Sequence, residues 1–170
     1  MTLENTLDGS IMKTFFHISF DPWTTIHEFT PRIPLQRSYG EDNKIHRVCV
    51  SNTIENCLSA APMTDIIFEP GGYLETDDLS LYITKDNSGV PFVAYELQAD
   101  PSFVMHPAEL SSLVPDALET QEHWIIHPVR PINRRFFLLE DVNTSGEELK
   151  LFYSELSQEQ FEKLEEYRND

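Results

Sequence analysis

Residues 47–61, RVCVSNTIENCLSAA, decide the fold. Arg47 to Ser51 is a short apolar run in which Val48 and Val50 flank Cys49, the composition of a buried strand. Directly after it, Asn52 stands three residues before Glu55, the spacing of a capping box, so a helix starts near Thr53. Ile54, Cys57, Leu58 and Ala61 share one helical face, and Pro62 stops the helix because it cannot donate to it. A strand runs into a helix here with almost no loop.

Outward from this unit, Ile11 to Phe20 (IMKTFFHISF) predicts a strand. Asp21 to Gly40 holds Pro22, Pro31 and Pro34 and predicts an extended, structured loop, since proline removes amide donors. Leu79–Thr84 and Pro91–Leu97 predict two strands joined as a hairpin through Asp86-Asn87-Ser88-Gly89. Residues 100–120 predict loop and short helix, with His106-Pro107 opening a helical turn. His123–Val129 and Arg135–Leu139 predict two more strands. In the last segment Leu149, Phe152, Tyr153, Leu156, Phe161 and Leu164 predict one or two helices with a charged outer face. The fold class expected is α+β, a mixed, largely antiparallel sheet of five or six strands with a few helices. Residues 1–10 read as a flexible polar tail and 11–170 as a single domain.

At 170 residues, with 40% hydrophobic content, 11 Phe, 6 Tyr and 2 Trp, the chain has material for one core without staples. No run approaches the ~18 apolar residues that span a bilayer, and Met1 to Ser10 lacks the pattern of a secretory signal. Cys49 and Cys57 are too few for a disulfide framework, so they read as buried thiols of a cytoplasmic protein.

The formal net charge is −17, which excludes direct binding to nucleic acid or to an anionic membrane. Between Val48 and Val129 stand 13 acids and one base, Lys85. Other bases gather in two groups, one of Arg32, Arg37, Lys44 and Arg47, the other of Arg130, Arg134 and Arg135. These are either solvated loops or the two sides of an anion site, for which the planar guanidinium is suited.

The glycine-rich phosphate loops, the nucleophile elbow and the His-Glu-x-x-His motif are missing from the sequence. His123 and His127 on a strand would lie roughly 13 Å apart at ~3.3 Å per residue, so no metal site is expected. What remains are strand-end side chains: His17 and Ser19 in FFHIS, Ser51 in RVCVSNTIENCLSAA, and Glu122 in ALETQEHWIIHPV, with Tyr82 and Tyr95 on strands between them.

That order resembles the ADP-ribosyltransferase-like fold. In it a first strand carries His-x-Ser or His-x-Thr, a second ends in a Ser before a helix, and a later strand opens with Glu. The resemblance implies that NAD is a substrate rather than a permanently bound cofactor, and that the activity is ADP-ribosyl transfer or NAD glycohydrolysis. It implies His17 and Glu122 as catalytic, Glu122 opposing the positive charge that develops as nicotinamide leaves. Ser19 and Ser51 would contact the ribose side, Tyr82 or Tyr95 would stack on the ring, and Arg32 or Arg47 would hold the pyrophosphate. Glu119 and Gln121 stand out of register with the family's Glu-x-Glu or Gln-x-Glu ending. The chain is also similar to small bacterial and phage proteins. A different reading starts from the charge alone: a non-catalytic acidic inhibitor or nucleic-acid mimic that occupies a basic host protein.

Overall fold

The computed structural model of the chain describes residues 6–7, 10–35, 39–60, 89–143 and 150–168. The described strands are β1 Thr6–Leu7, β2 Ser10–Ile11, β3 Lys13–Ser19, β4 Val48–Ser51, β5 Val90–Ala99, β6 Val104–Met105, β7 Glu122–Ile125, β8 Pro131–Asn143 and β9 Lys150–Leu156. The described helices are α1 Ile54–Ala60, α2 Pro107–Leu110, α3 Ala117–Thr120 and α4 Gln158–Arg168, with a 3₁₀ turn at Pro101–Phe103. β1 and β2 pair with each other, and the other seven strands form one sheet in the order β6-β7-β4-β3-β5-β8-β9. The chain is α+β, and the β3–β4, β4–β7, β6–β7 and β8–β9 pairs are antiparallel. Among the described residues no helix is long and apolar enough to cross a membrane.

Seven strands in the main sheet replace the five or six expected, because β6 and β9 both form where no strand was expected. β6 has two residues, too few to show a period. β9 occupies a segment whose Leu149, Phe152, Tyr153 and Leu156 also fit a helix. Pairing with β8 over Phe136↔Leu156 to Asn143↔Lys150 overrides that local pattern. The helix comes one turn later, where Ser157 Oγ accepts from Gln160 N (3.1 Å) and Gln160 Oε1 accepts from Ser157 N (2.8 Å), a reciprocal cap.

The strand-to-helix unit forms as expected, with the cap shifted by one residue. Thr53 Oγ1 accepts from Asn56 N (3.0 Å), and Asn52 Oδ1 instead accepts from the Asn56 side chain (2.8 Å). In the described part of the proline-rich segment no helix forms, and it makes two isolated antiparallel bridges, Phe29↔Val129 and Arg32↔Arg47. In the expected hairpin, Leu79–Thr84 lies outside the described residues, and the described neighbours of β5 are β3 and β8.

By contacts the chain falls into two compact units. The first holds described residues up to His17, Ile26–Ala60 and Tyr95–Asn133; the second holds Ile18–Thr25, Gly89–Ala94 and Arg134–Arg168. In the first unit, Leu110, Val114, Ala117 and Trp124 form a buried cluster in which α2, α3 and the turn between them meet β7. In the second, aromatic rings dominate: Phe136 lies 3.8 Å from Phe161 of α4 and Phe92 lies 5.3 Å from Phe137, both stacked. Gly89 is required there, since a Cβ would run into the Leu139 carbonyl oxygen.

Candidate functional site

The candidate residues of the first unit are placed by one register. β4 and β7 pair as Val48↔Ile125, Cys49↔Trp124, Val50↔His123 and Ser51↔Glu122, and β3 joins through Phe16↔Ser51. Side chains alternate along a strand and partners share a face. Cys49, Ser51, Glu122 and Trp124 therefore share one face with Phe16, while Phe15, His17, Val50 and His123 share the other.

The first face carries the polar groups. Ser51, fully buried, donates to the Thr120 carbonyl (3.2 Å). Trp124 Nε1 donates to Glu122 Oε1 (2.8 Å). Burial raises the Glu122 carboxyl above its ordinary range; the indole hydrogen bond opposes that and the negative charge of Glu41 adds to it. Burial also pushes the Cys49 and Cys57 thiols up to about 12, so neither is a nucleophile near neutral pH. Cys57 Sγ donates instead to the Phe16 carbonyl (3.1 Å).

Arg47 lies in the same layer, its side chain wholly buried. Its guanidinium sits 3.9 Å over the Trp124 ring and bonds Glu41 Oε1 (2.7 Å), the Asp42 carbonyl (2.9 Å) and the Ile45 carbonyl (2.8 Å). Asp42 Oδ2 completes the set at 3.4 Å and also accepts from the amides of Lys44 and Ile45, which hold its carboxyl below the usual range. Arg47 Nε is the one buried side-chain nitrogen or oxygen without a hydrogen-bond partner among the described residues.

The other face is aromatic and carries the histidines. His17 Nδ1 donates to the Cys49 carbonyl (2.8 Å), and its ring meets Phe29 edge-on at 4.8 Å. Phe29 in turn meets Tyr95 at 5.3 Å. Burial lowers the His17 pKa, the backbone hydrogen bond opposes, and the nearby charge of Arg32 lowers it further. His123 packs against Phe15 at 5.0 Å and His106 at 5.4 Å, and burial lowers its pKa as well. Tyr95 is buried, and its hydroxyl accepts from Ile26 N (3.0 Å), so its ring is a core element.

The structure thus joins Ser51 with Glu122, and His17 with Tyr95 through Phe29. It sets these two pairs on opposite faces of the sheet. Ser19, at the end of β3, accepts from Asp21 N (3.1 Å) and shapes a turn. Arg32 is exposed while Arg47 is occupied within the protein, although their backbones pair. Tyr82 lies outside the described residues. Among the described residues no group of three or more His, Cys, Asp or Glu side chains is placed to hold a metal ion.

Sequence reasoning passed over Trp124 and His106. Trp124 could have been flagged by its place two residues after Glu122, which puts an indole donor on the carboxylate's own face. Nothing in the sequence marks His106 as a neighbour of His123. No family model matches the chain, and neither a curated protein nor a solved structure does.

Proposed function

We propose that this chain is a non-catalytic acidic binding protein that occupies the basic, nucleic-acid-binding surface of a partner protein. The observation that carries the reading is its charge, −17 over 170 residues. The way the cations are used supports it. Arg47 is paired internally with Glu41 and Asp42, Arg130 with Glu28, Arg135 with Glu155 and Lys163 with Glu159. Exposed carboxylates at Glu55, Glu109, Glu119, Glu140 and Glu162 remain to set the surface potential. Such a field steers a basic partner and raises the association rate, and salt screens it over a Debye length of about 10 Å at 0.1 M.

NAD chemistry would require His17, Ser51 and Glu122 around one hollow, and strand alternation divides them between two faces. The acidic-surface reading makes no such demand. The test is capture of partners from lysate at low and high salt, followed by competition between each purified partner's nucleic acid and this chain. Salt-sensitive capture with mutual displacement is expected. Capture of nothing salt-sensitive, or a partner that still binds its nucleic acid in the presence of the chain, overturns the reading. Release of nicotinamide from NAD that disappears in Glu122→Gln would return the enzyme to first place.

A further inference from the structure

The ends of the hydrogen-bonded strand order differ. At one end β6 is two residues long, and Pro107 follows two residues after it, so it offers almost no template. At the other end β9 runs Lys150–Leu156 with no proline and pairs with β8 along its length. Among the described residues no strand lies beyond it, so alternate N–H and C=O groups of β9 point away from β8. Edge strands are commonly blunted by shortness, proline or a bulge of their own. β9 has none of these, since the register shift falls on the β8 side between Leu139 and Asp141, and its only charged residues are Lys150 and Glu155. The strand is also firmly held, with Tyr153 packed against Phe92 at 6.2 Å and Phe137 at 5.8 Å.

The chemistry around this edge selects the occupant. Phe152 is exposed at 47%, an apolar contact for an incoming side chain. Glu140, which accepts from Ser154 Oγ (2.6 Å), and Glu162 are exposed on β8 and α4, while the exposed Glu155 and Glu159 are paired with Arg135 and Lys163 and would have to exchange partners. We infer that β9 takes up an extended, basic segment of the partner by strand addition. Backbone hydrogen bonds supply affinity, and the surrounding carboxylates select Lys and Arg. The inference rests on the acidic-binding reading and assigns it a place on the molecule.

The probe is a capped peptide of about eight residues alternating Lys and Val, enough for one edge strand. Its control replaces each Val by Pro, which keeps the charge and removes half of the amide donors. On binding the Lys-Val peptide, alternate β9 amides should gain hydrogen-exchange protection, while the Lys-Pro peptide binds at least about tenfold more weakly. Phe152→Lys with Ser154→Lys should weaken the Lys-Val peptide by at least about tenfold while leaving the Tm of these exposed positions unchanged. Several results overturn the inference: equal affinity for both peptides, no binding of the Lys-Val peptide, binding without β9 protection, or outward β9 amides already protected in the free chain. If a captured basic protein binds while β9 amides exchange as before, strand addition fails and the acidic-binding reading stands. If neither peptide nor captured protein binds, both fall.

Discussion

The two units hold themselves together by different means. In the first, a fully buried indole is gripped from two sides: Arg47 stacks on its face and Glu122 accepts its N–H. In the second, hydrocarbon meets hydrocarbon. Phe161 is stacked on Phe136 at 3.8 Å and on Trp23 at 5.3 Å, and docks α4. A buried ionic group adds little net stability over a well-packed apolar one, yet removing a single partner is costly. An aromatic stack is worth its buried area plus a modest geometric bonus, and protons do not alter it. The buried core of the first unit should therefore respond to pH and the aromatic core of the second should not, the exposed Arg135–Glu155 pair aside.

The largest effect belongs to the ionic side. Arg47→Ala should destabilise the protein by about 3–5 kcal/mol in urea unfolding at neutral pH, because a buried cation leaves its carboxylates behind. A loss below about 1 kcal/mol would mean that the carboxylates turn to water freely. Arg47→Lys should recover only part, since an ammonium cannot face the ring and bond its neighbours in one plane.

Phe161→Ala should come next, at about 3 kcal/mol, by loss of a buried ring between two others. The pair of variants sharpens the contrast through pH. Asp42 is held below the ordinary carboxylate range chiefly by the Ile45 and Lys44 amides and to a lesser extent by Arg47, so the Arg47 part of its contribution is present above that range and fades as pH falls through the folded value. The Arg47→Ala penalty should shrink in acid while the Phe161→Ala penalty stays constant. Parallel behaviour of the two would erase the distinction between the units.

How far this could be read from the sequence follows from what each feature needs. The β4–α1 unit was legible because strand, cap and helix lie within 15 consecutive residues, 47–61. β9 was not, since its apolar spacing suits a helix as well as a strand. Ser157-x-x-Gln160 was the overlooked sign that the helix starts at 158. For the candidate site, side-chain parity within one strand is readable, but parity between strands requires the register. Phe16↔Ser51 and Ser51↔Glu122 put His17 across the sheet from Glu122, and a shift of one residue in β3 would have reversed that. Arg47 shows the same limit. A cluster of bases suggested an anion from outside, while Glu41 and Asp42, a few residues away, already supplied one from within.

A smaller effect comes from the histidine face. His17 and His123 are held neutral, with folded pKa values below the ordinary 6.5. The unfolded chain then binds protons more readily, so stability falls as pH drops through 6.5 and continues to fall toward the folded values. His17→Asn should flatten the dependence of Tm on pH between neutrality and mild acid. An unchanged profile would show that the imidazole charges in place.

The smallest effect expected is at Glu122, and its sign is opposite. Its carboxyl is raised, so the fold favours the protonated form. That contribution is complete below the ordinary carboxylate pKa of 4.5 and is lost as pH rises through the folded value. Wherever the group is ionised in the fold it is a cost. Glu122→Gln retains an oxygen to accept from the Trp124 indole and removes the charge that Glu41 repels. Tm at pH 7 should rise slightly, by well under about 1 kcal/mol in stability, and the gain should vanish in acid. A loss at pH 7 would mean that the negative charge is being used by a cation not seen around it. A gain would mean that the fold holds this carboxylate at a cost when it is charged, burial and Glu41 outweighing the indole hydrogen bond.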